Sequence, residues 1–221
     1  MNNEFLDPIE LSIKVAIVSS VLVFFSGMIV GKFMARKKFP GKIVLETIFL
    51  LPIVLPPSVV GFLLIIIFGK NSVVGQAVEW LFHQPIIFTW WAAVIAASVV
   101  AFPLMYQAVK TGLESVHSEI EDASRVDGAN EWQVLRYISF PLASKAIVSG
   151  IILSFTRALG EFGATLMVAG NIPGKTQTIP TAIYVAMDSG NLELAWKFVL
   201  LMISISFLLL FTVKQISKRI E

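Results

Sequence analysis

The sequence predicts an all-α polytopic membrane protein with five transmembrane helices, its N-terminus outside and its C-terminus in the cytoplasm. Three observations carry that expectation. Apolar residues fill 56% of the 221 positions and charged residues 14%, against about half and about a quarter in soluble domains. Mean hydropathy is +0.81, so the apolar excess belongs in a bilayer. Five stretches are long enough to cross a hydrocarbon core, which takes about 20 apolar residues. Basic residues, finally, gather in alternate loops.

The spans fall at roughly 12–34, 44–68, 86–109, 146–169 and 196–214. The first is not a signal peptide, because Glu4, Asp7 and Glu10 precede it where a basic region is required. Within it, Gly27 and Gly31 form a G-x-x-x-G pair suited to close helix packing. Lys14, near its outer end, can snorkel toward water. The second span holds Pro52, Pro56, Pro57 and Gly61, which should kink or break it near the bilayer midplane. Trp90 and Trp91 on the third span and Trp196 on the fifth fall near outer interfaces, where aromatic belts are normal. The fourth carries two charges, Arg157 and Glu161. The segment Ile179–Gly190 between the last two spans reads equally as a short external helix or a re-entrant stretch.

Orientation follows from the loops. Segments 32–42, 110–145 and the C-terminus hold twelve of the 17 basic residues, whereas loops 69–85 and 170–195 hold only Lys70 and Lys175. By the positive-inside rule the first three face the cytoplasm. The whole chain, 1–221, reads as one transmembrane domain. Its largest polar segment, 110–145, is too small for a core of its own.

Composition also removes functions. Without cysteine there is no disulfide framework, thiolate metal site or cysteine nucleophile. The two histidines, His83 and His117, stand far apart with no ligand pattern around them, so no metal is expected. A net charge of +2 gives no basic footprint for nucleic acid. Nothing points to catalysis.

The chemistry-bearing segment is the 110–145 loop. Ser118 followed by Glu121 reads as a capping box, with Ile120, Ala123 and Ser124 on one helical face and a stop near Gly128. A second short helix is expected from Asn130, with Trp132, Val134, Leu135 and Ile138 as its apolar contacts before Pro141. Asp122-Ala123-Ser124, Gly128, Ile138, Phe140 and Pro141 resemble the pattern Glu-Ala-Ala-x-x-x-Gly, nine residues, Ile-x-Leu-Pro of permease subunits of bacterial ABC importers. Asp122 replaces the glutamate, unless Glu121, one place early, takes that role; Ser124 replaces alanine and Phe140 leucine. The resemblance implies that the loop is a coupling helix docking into an ATPase. A second run, Thr156 to Thr165 and on to Thr178, is similar to the molybdate branch, with sulfate, thiosulfate and tungstate permeases as relatives.

This resemblance implies a type I importer permease in a bacterial plasma membrane, translocating molybdate or a related oxyanion. It implies two copies of the chain, two cytoplasmic ATPases that bind the ATP, an external oxyanion-binding protein and surrounding lipid, with no cofactor on the chain itself. A membrane anchor and a passive anion channel are the readings from other classes; a channel has no use for the loop. Gly170 to Thr176 reads G-x-x-x-G-K-T, one residue short of a phosphate loop, stiffened by Pro173 and placed outside the cell.

Two groups are candidates for the anion's path. A half-helix starting at Pro56–Pro57 would aim the amides of Ser58 and its neighbours at an anion, with Gly61 in the same break; the alternative is a packing kink. Arg157 and Glu161, four apart, share a helix face. They form either a structural ion pair or a transient anion contact, since a tight site would stop transport.

Overall fold

A computed structural model describes residues 4–219, and all its regular structure is helical. The elements are α1 (Leu6–Arg36), α2 (Lys42–Val54), α3 (Pro57–Phe68), α4 (Val73–Phe82), α5 (Trp90–Glu114), α6 (Ser118–Val126) and α7 (Glu131–Val134). A π-helical turn (Leu135–Ser139) leads into α8 (Phe140–Leu159), followed by α9 (Gly163–Ala169), α10 (Ile179–Asp188) and α11 (Leu192–Arg219).

α5 is the centre of the bundle. Its face Ala93, Ala96, Ala97, Val100 and Ala101 is fully buried, and small side chains let its neighbours come close. α1 lies against it through the predicted glycine pair: a Cβ on Gly27 would stand 2.6 Å from Met105 Cγ, and one on Gly31 2.8 Å from Val109 Cβ. On the other side Gly112 meets Ala146 and Gly150 meets Ala108 just as tightly, seating α8. Among the described residues, four helices are long and apolar enough to cross a membrane, or five when α2 and α3 count as one broken span.

The second and fourth spans depart from the straight stretches expected. α2 and α3 meet at a bend of 115°. Leu55 and Pro56 are both extended, at ψ of 142° and 139°, because each precedes a proline whose ring disfavours helical geometry there. Pro52 does not take part: it sits inside α2 without interrupting it. The expected fourth span, 146–169, ends early. α8 stops at Leu159, and Gly160 to Phe162 separate it from α9. Two glycines around Glu161 weaken the helix there, and the Glu161 carboxylate accepts the Ala164 amide at 2.9 Å, starting α9 afresh.

At the other end the span begins earlier than expected. α7, the π turn and α8 run on as one helical unit from Glu131 to Leu159, so the second short helix before Pro141 is not separate. Pro141 would clash with the carbonyl four residues back in a regular helix. The widened turn just before it, with Phe140 N–H bonded to Leu135, relaxes that crowding. Ile179–Asp188 is a ten-residue helix, too short to span. It is held to α1 by a 2.7 Å hydrogen bond from the Ile179 amide to Ser12 Oγ, and to α11 around buried Phe198.

Candidate functional site: a latched loop and two mated breaks

The loop builds a knob from α6 and α7. The expected capping box at Ser118 does not form: His117 is the N-cap and makes no side-chain bond. Glu121 is drawn elsewhere. It is 1% exposed, takes both guanidinium nitrogens of Arg36 at the end of α1, and accepts Ser139 Oγ at 2.6 Å. The capping box lies instead at Asn130, whose side chain accepts the Gln133 amide while Gln133 caps the Asn130 amide in return. Arg125 bridges the two short helices, with Glu131 Oε1 at 2.7 Å and Asp122 Oδ1 at 2.6 Å. These hydrogen bonds, that to Glu131 foremost, hold the Arg125 guanidinium more firmly protonated than usual.

Glu121 and Asp122 are thus separated by role. Glu121 faces inward and latches the loop to α1; Asp122 and Ala123 remain on the surface, with Ser124 half-buried and its hydroxyl bonded to the Ile120 carbonyl. Val126 is exposed beside them. Gly128 turns the chain with φ of +92° and has no atom within 4 Å of where a Cβ would stand. Ile138, Phe140 and Pro141 belong to the other part of the motif. Ile138 lies in the π turn, Phe140 packs against the bundle core, and Pro141 follows it on α8.

The two path candidates, which sequence placed a hundred residues apart, are brought together. α3 and α9 pack against each other at their glycines. A Cβ on Gly163 would lie 2.7 Å from Pro57 Cβ, and one on Gly61 2.8 Å from Met167 Cβ and 3.2 Å from Ala164 Cα. The break in the second span therefore mates with the break in the fourth. Arg157 and Glu161 lie at this junction and do pair, NH1 to Oε2 at 2.7 Å. They do so across a helix end and not along a continuous face. Glu161 is saturated, at 2% exposed with one oxygen on Arg157 and the other on Ala164 N–H. Arg157 keeps 32% of its side chain exposed. The expected fan of amides at α3 is thin. Pro56 and Pro57 have no N–H, and Val59 and Val60 both donate to the Pro56 carbonyl, leaving only Ser58.

Sequence reading missed three partners. Arg36 entered only as part of a basic loop, although it is the counter-ion of Glu121. Lys110 and Glu46, 2.7 Å apart, tie α5 to α2; an acid in an otherwise apolar stretch was the available signal. Gly163 was the third, flagged by the repeat of glycine on either side of Glu161. The Gly170–Thr176 segment does not cradle phosphate: the amides of Lys175, Thr176 and Gln177 all turn inward to the Ile172 carbonyl.

The model of the binding-protein-dependent transport system inner membrane component family matches residues 27–221. The chain belongs to that family. It is a multi-pass inner-membrane protein. It is 59% identical over 213 residues to the putative molybdenum transport system permease protein YvgM of Bacillus subtilis (strain 168), covering 96% of this chain and 94% of that one. With the molybdenum transport system permease protein ModB of Escherichia coli (strain K12) it shares 42% over 175 residues, 78% of this chain and 76% of that one. Among solved structures, the inward-facing MetNI methionine ABC transporter superposes with a TM-score of 0.73 at 18% identity, covering 98% of this chain and 96% of that one. A bacterial importer of the acidic polysaccharide alginate gives 0.78 at 14%, covering 100% and 81%. The fold is that of type I ABC importer permeases.

Proposed function

We propose that this chain is the transmembrane subunit of an ATP-driven molybdate importer, working as a pair with two cytoplasmic ATPases and an external oxyanion-binding protein. The observation that carries the reading is the 59% identity to a putative molybdenum permease along nearly the whole chain. The geometry supports the division of labour. A loop latched to α1 and continuous with α8 can pass a push from a docked ATPase into the bundle, and the α3–α9 junction can open or close a path. Ala123, Val126 and Gly128 form the docking face; Arg157 and Ser58 supply the donors left for a passing anion. ATP hydrolysis is assigned to the two ATPase partners. Basic segments 32–42 and 110–145 face the cytoplasm.

Reconstitution with its ATPase and binding protein tests this. Molybdate is expected to stimulate ATP hydrolysis and to accumulate only with ATP. Stimulation by sulfate or tungstate but not molybdate would reassign the oxyanion, and flux without ATP would make the chain a channel. In intact cells, a cysteine at Asn171 should react with an impermeant reagent and one at Lys38 should not.

A further inference from the structure

A second feature lies away from the α3–α9 junction. A cleft of 640 Å³ opens between the end of α1 and the α6–α7 knob. Its polar floor is internally neutralised, Arg36 by Glu121 and Arg125 by Glu131. Lys32 and Lys37 line it as well, and neither makes an ion pair among the described residues. Lys32 Nζ stands 5.9 Å from the Trp132 ring centroid across the cleft, and Lys37 Nζ 4.5 Å from that of Phe33. The cleft therefore carries two unneutralised ammonium groups held beside aromatic walls.

Its apolar wall does not stop at the cleft. Leu22, Phe25, Ile29 and Phe33 are all exposed and follow one another at helical spacing along α1, forming a stripe that runs out of the cleft along the span. A site with two cations at the membrane end and an apolar runway beneath matches an amphiphile with an anionic head. Free phosphate has no use for the runway. Basic pockets beside transmembrane helices at the cytoplasmic surface hold anionic headgroups by the same arrangement, and a tryptophan at headgroup level is its usual neighbour.

We infer that the cleft between α1 and the coupling knob is a binding site for an anionic phospholipid, its phosphate between Lys32 and Lys37 and its acyl chains along Ile29 and Phe25. The coupling face is left free. Glu121 and Arg125, one turn apart, face the cleft, and Ala123 lies round the other side of α6. The lipid thus braces the latch that joins the knob to α1 without covering the docking surface.

The test uses the chain assembled with its ATPase in nanodiscs of phosphatidylcholine containing a photoreactive phosphatidylglycerol. Cross-linking is expected at the 29–37 and 132 segments, resistant to excess inorganic phosphate. It should fall about fivefold for each of Lys32→Gln and Lys37→Gln and about 25-fold for both, with Lys70→Gln and Lys38→Gln as controls that keep it. Yield and ATPase binding of the double variant establish that it is assembled. Equal labelling by a photoreactive phosphatidylcholine would overturn the proposal, as would competition by phosphate. So would labelling that appears only when the ATPase is absent, since the cleft would then belong to the protein partner.

Discussion

The knob and the α3–α9 junction each turn on glycine, for opposite reasons. Gly128 stands in open space, and what it contributes is a left-handed backbone at φ +92°. Gly61 and Gly163 have ordinary backbones, and what they contribute is the absence of a side chain, since Pro57, Ala164 and Met167 occupy the space a Cβ would need. One glycine serves a turn on an open surface; the other two are consumed inside the chain. Each region also buries a carboxylate, Glu121 in one and Glu161 in the other, hydrogen-bonded by an arginine and one further donor apiece, with Arg125 standing 3.8 Å from Glu121 besides. The regions can therefore be perturbed in matched pairs.

The largest effects should come from orphaning those carboxylates. Arg36→Gln leaves Glu121 with the Ser139 hydroxyl and a longer 3.8 Å contact to Arg125, and Arg157→Gln leaves Glu161 with the Ala164 amide alone. Removing one partner of a buried pair costs about 3–5 kcal/mol, read as lost thermal stability of the solubilised chain. Pairing each with Glu121→Gln or Glu161→Gln should return most of that loss. The comparison sharpens in uptake per assembled transporter. If Arg157 only holds Glu161, the Gln/Gln double variant transports normally; if Arg157 meets the anion, it is stable and inactive. A stable Arg157→Gln single variant would break the parallel between the two sites.

How far these regions could be read from the sequence follows from the same contrast. The knob announced itself because spacing along one chain segment suffices for a helix, a glycine stop and a second start. Its latch did not, because Arg36 lies 85 residues from Glu121 and only packing of α1 against the knob joins them. The prolines revealed the first break, although Pro52 was wrongly counted with Pro56 and Pro57. The second break stayed hidden, since 146–169 is apolar enough to look continuous and Glu161 acts as a cap only once the helix has stopped. That the two breaks mate depends on contacts between segments about a hundred residues apart, to which neither hydropathy nor motif is sensitive.

Intermediate effects are expected where side chains are forced into the junction. Gly61→Val and Gly163→Val each insert carbons at 2.7–2.8 Å from fixed neighbours, an overpacking of about 1–3 kcal/mol each. Because both force apart one helix interface, at Pro57 and at Met167 and Ala164, their combination should cost less than the sum. Additive losses would mean that the two ends of the α3–α9 interface yield independently. Cross-linking supplies an independent check. Cysteines replacing Gly61 and Met167 would bring their Cβ atoms to 2.8 Å, closer than the ~3.5–4.5 Å of a relaxed disulfide. They should therefore join under oxidation once the helices part slightly, and a pair that instead leaves both thiols free to a small alkylating reagent would remove the mated-break geometry.

The smallest intrinsic effect belongs to Gly128, which makes it the more informative site for docking. Gly128→Ala has room for its methyl group and pays only for left-handed backbone, about 1–2 kcal/mol confined to an exposed corner. Gly128→Asn should pay less, since asparagine visits that region more readily. The isolated chain should therefore tolerate both, and Gly128→Trp too apart from the same backbone strain. The ATPase complex should not treat them alike. If the partner packs against this corner, affinity and molybdate-stimulated hydrolysis will fall from Asn to Trp in order of side-chain volume while the melting temperature of the chain alone barely moves. If hydrolysis instead tracks the chain's own stability, with Ala worse than Asn and Trp no worse than Ala, the corner faces solvent in the assembly. The docking face would then lie elsewhere on the loop, toward Tyr137 in the π turn, which is exposed.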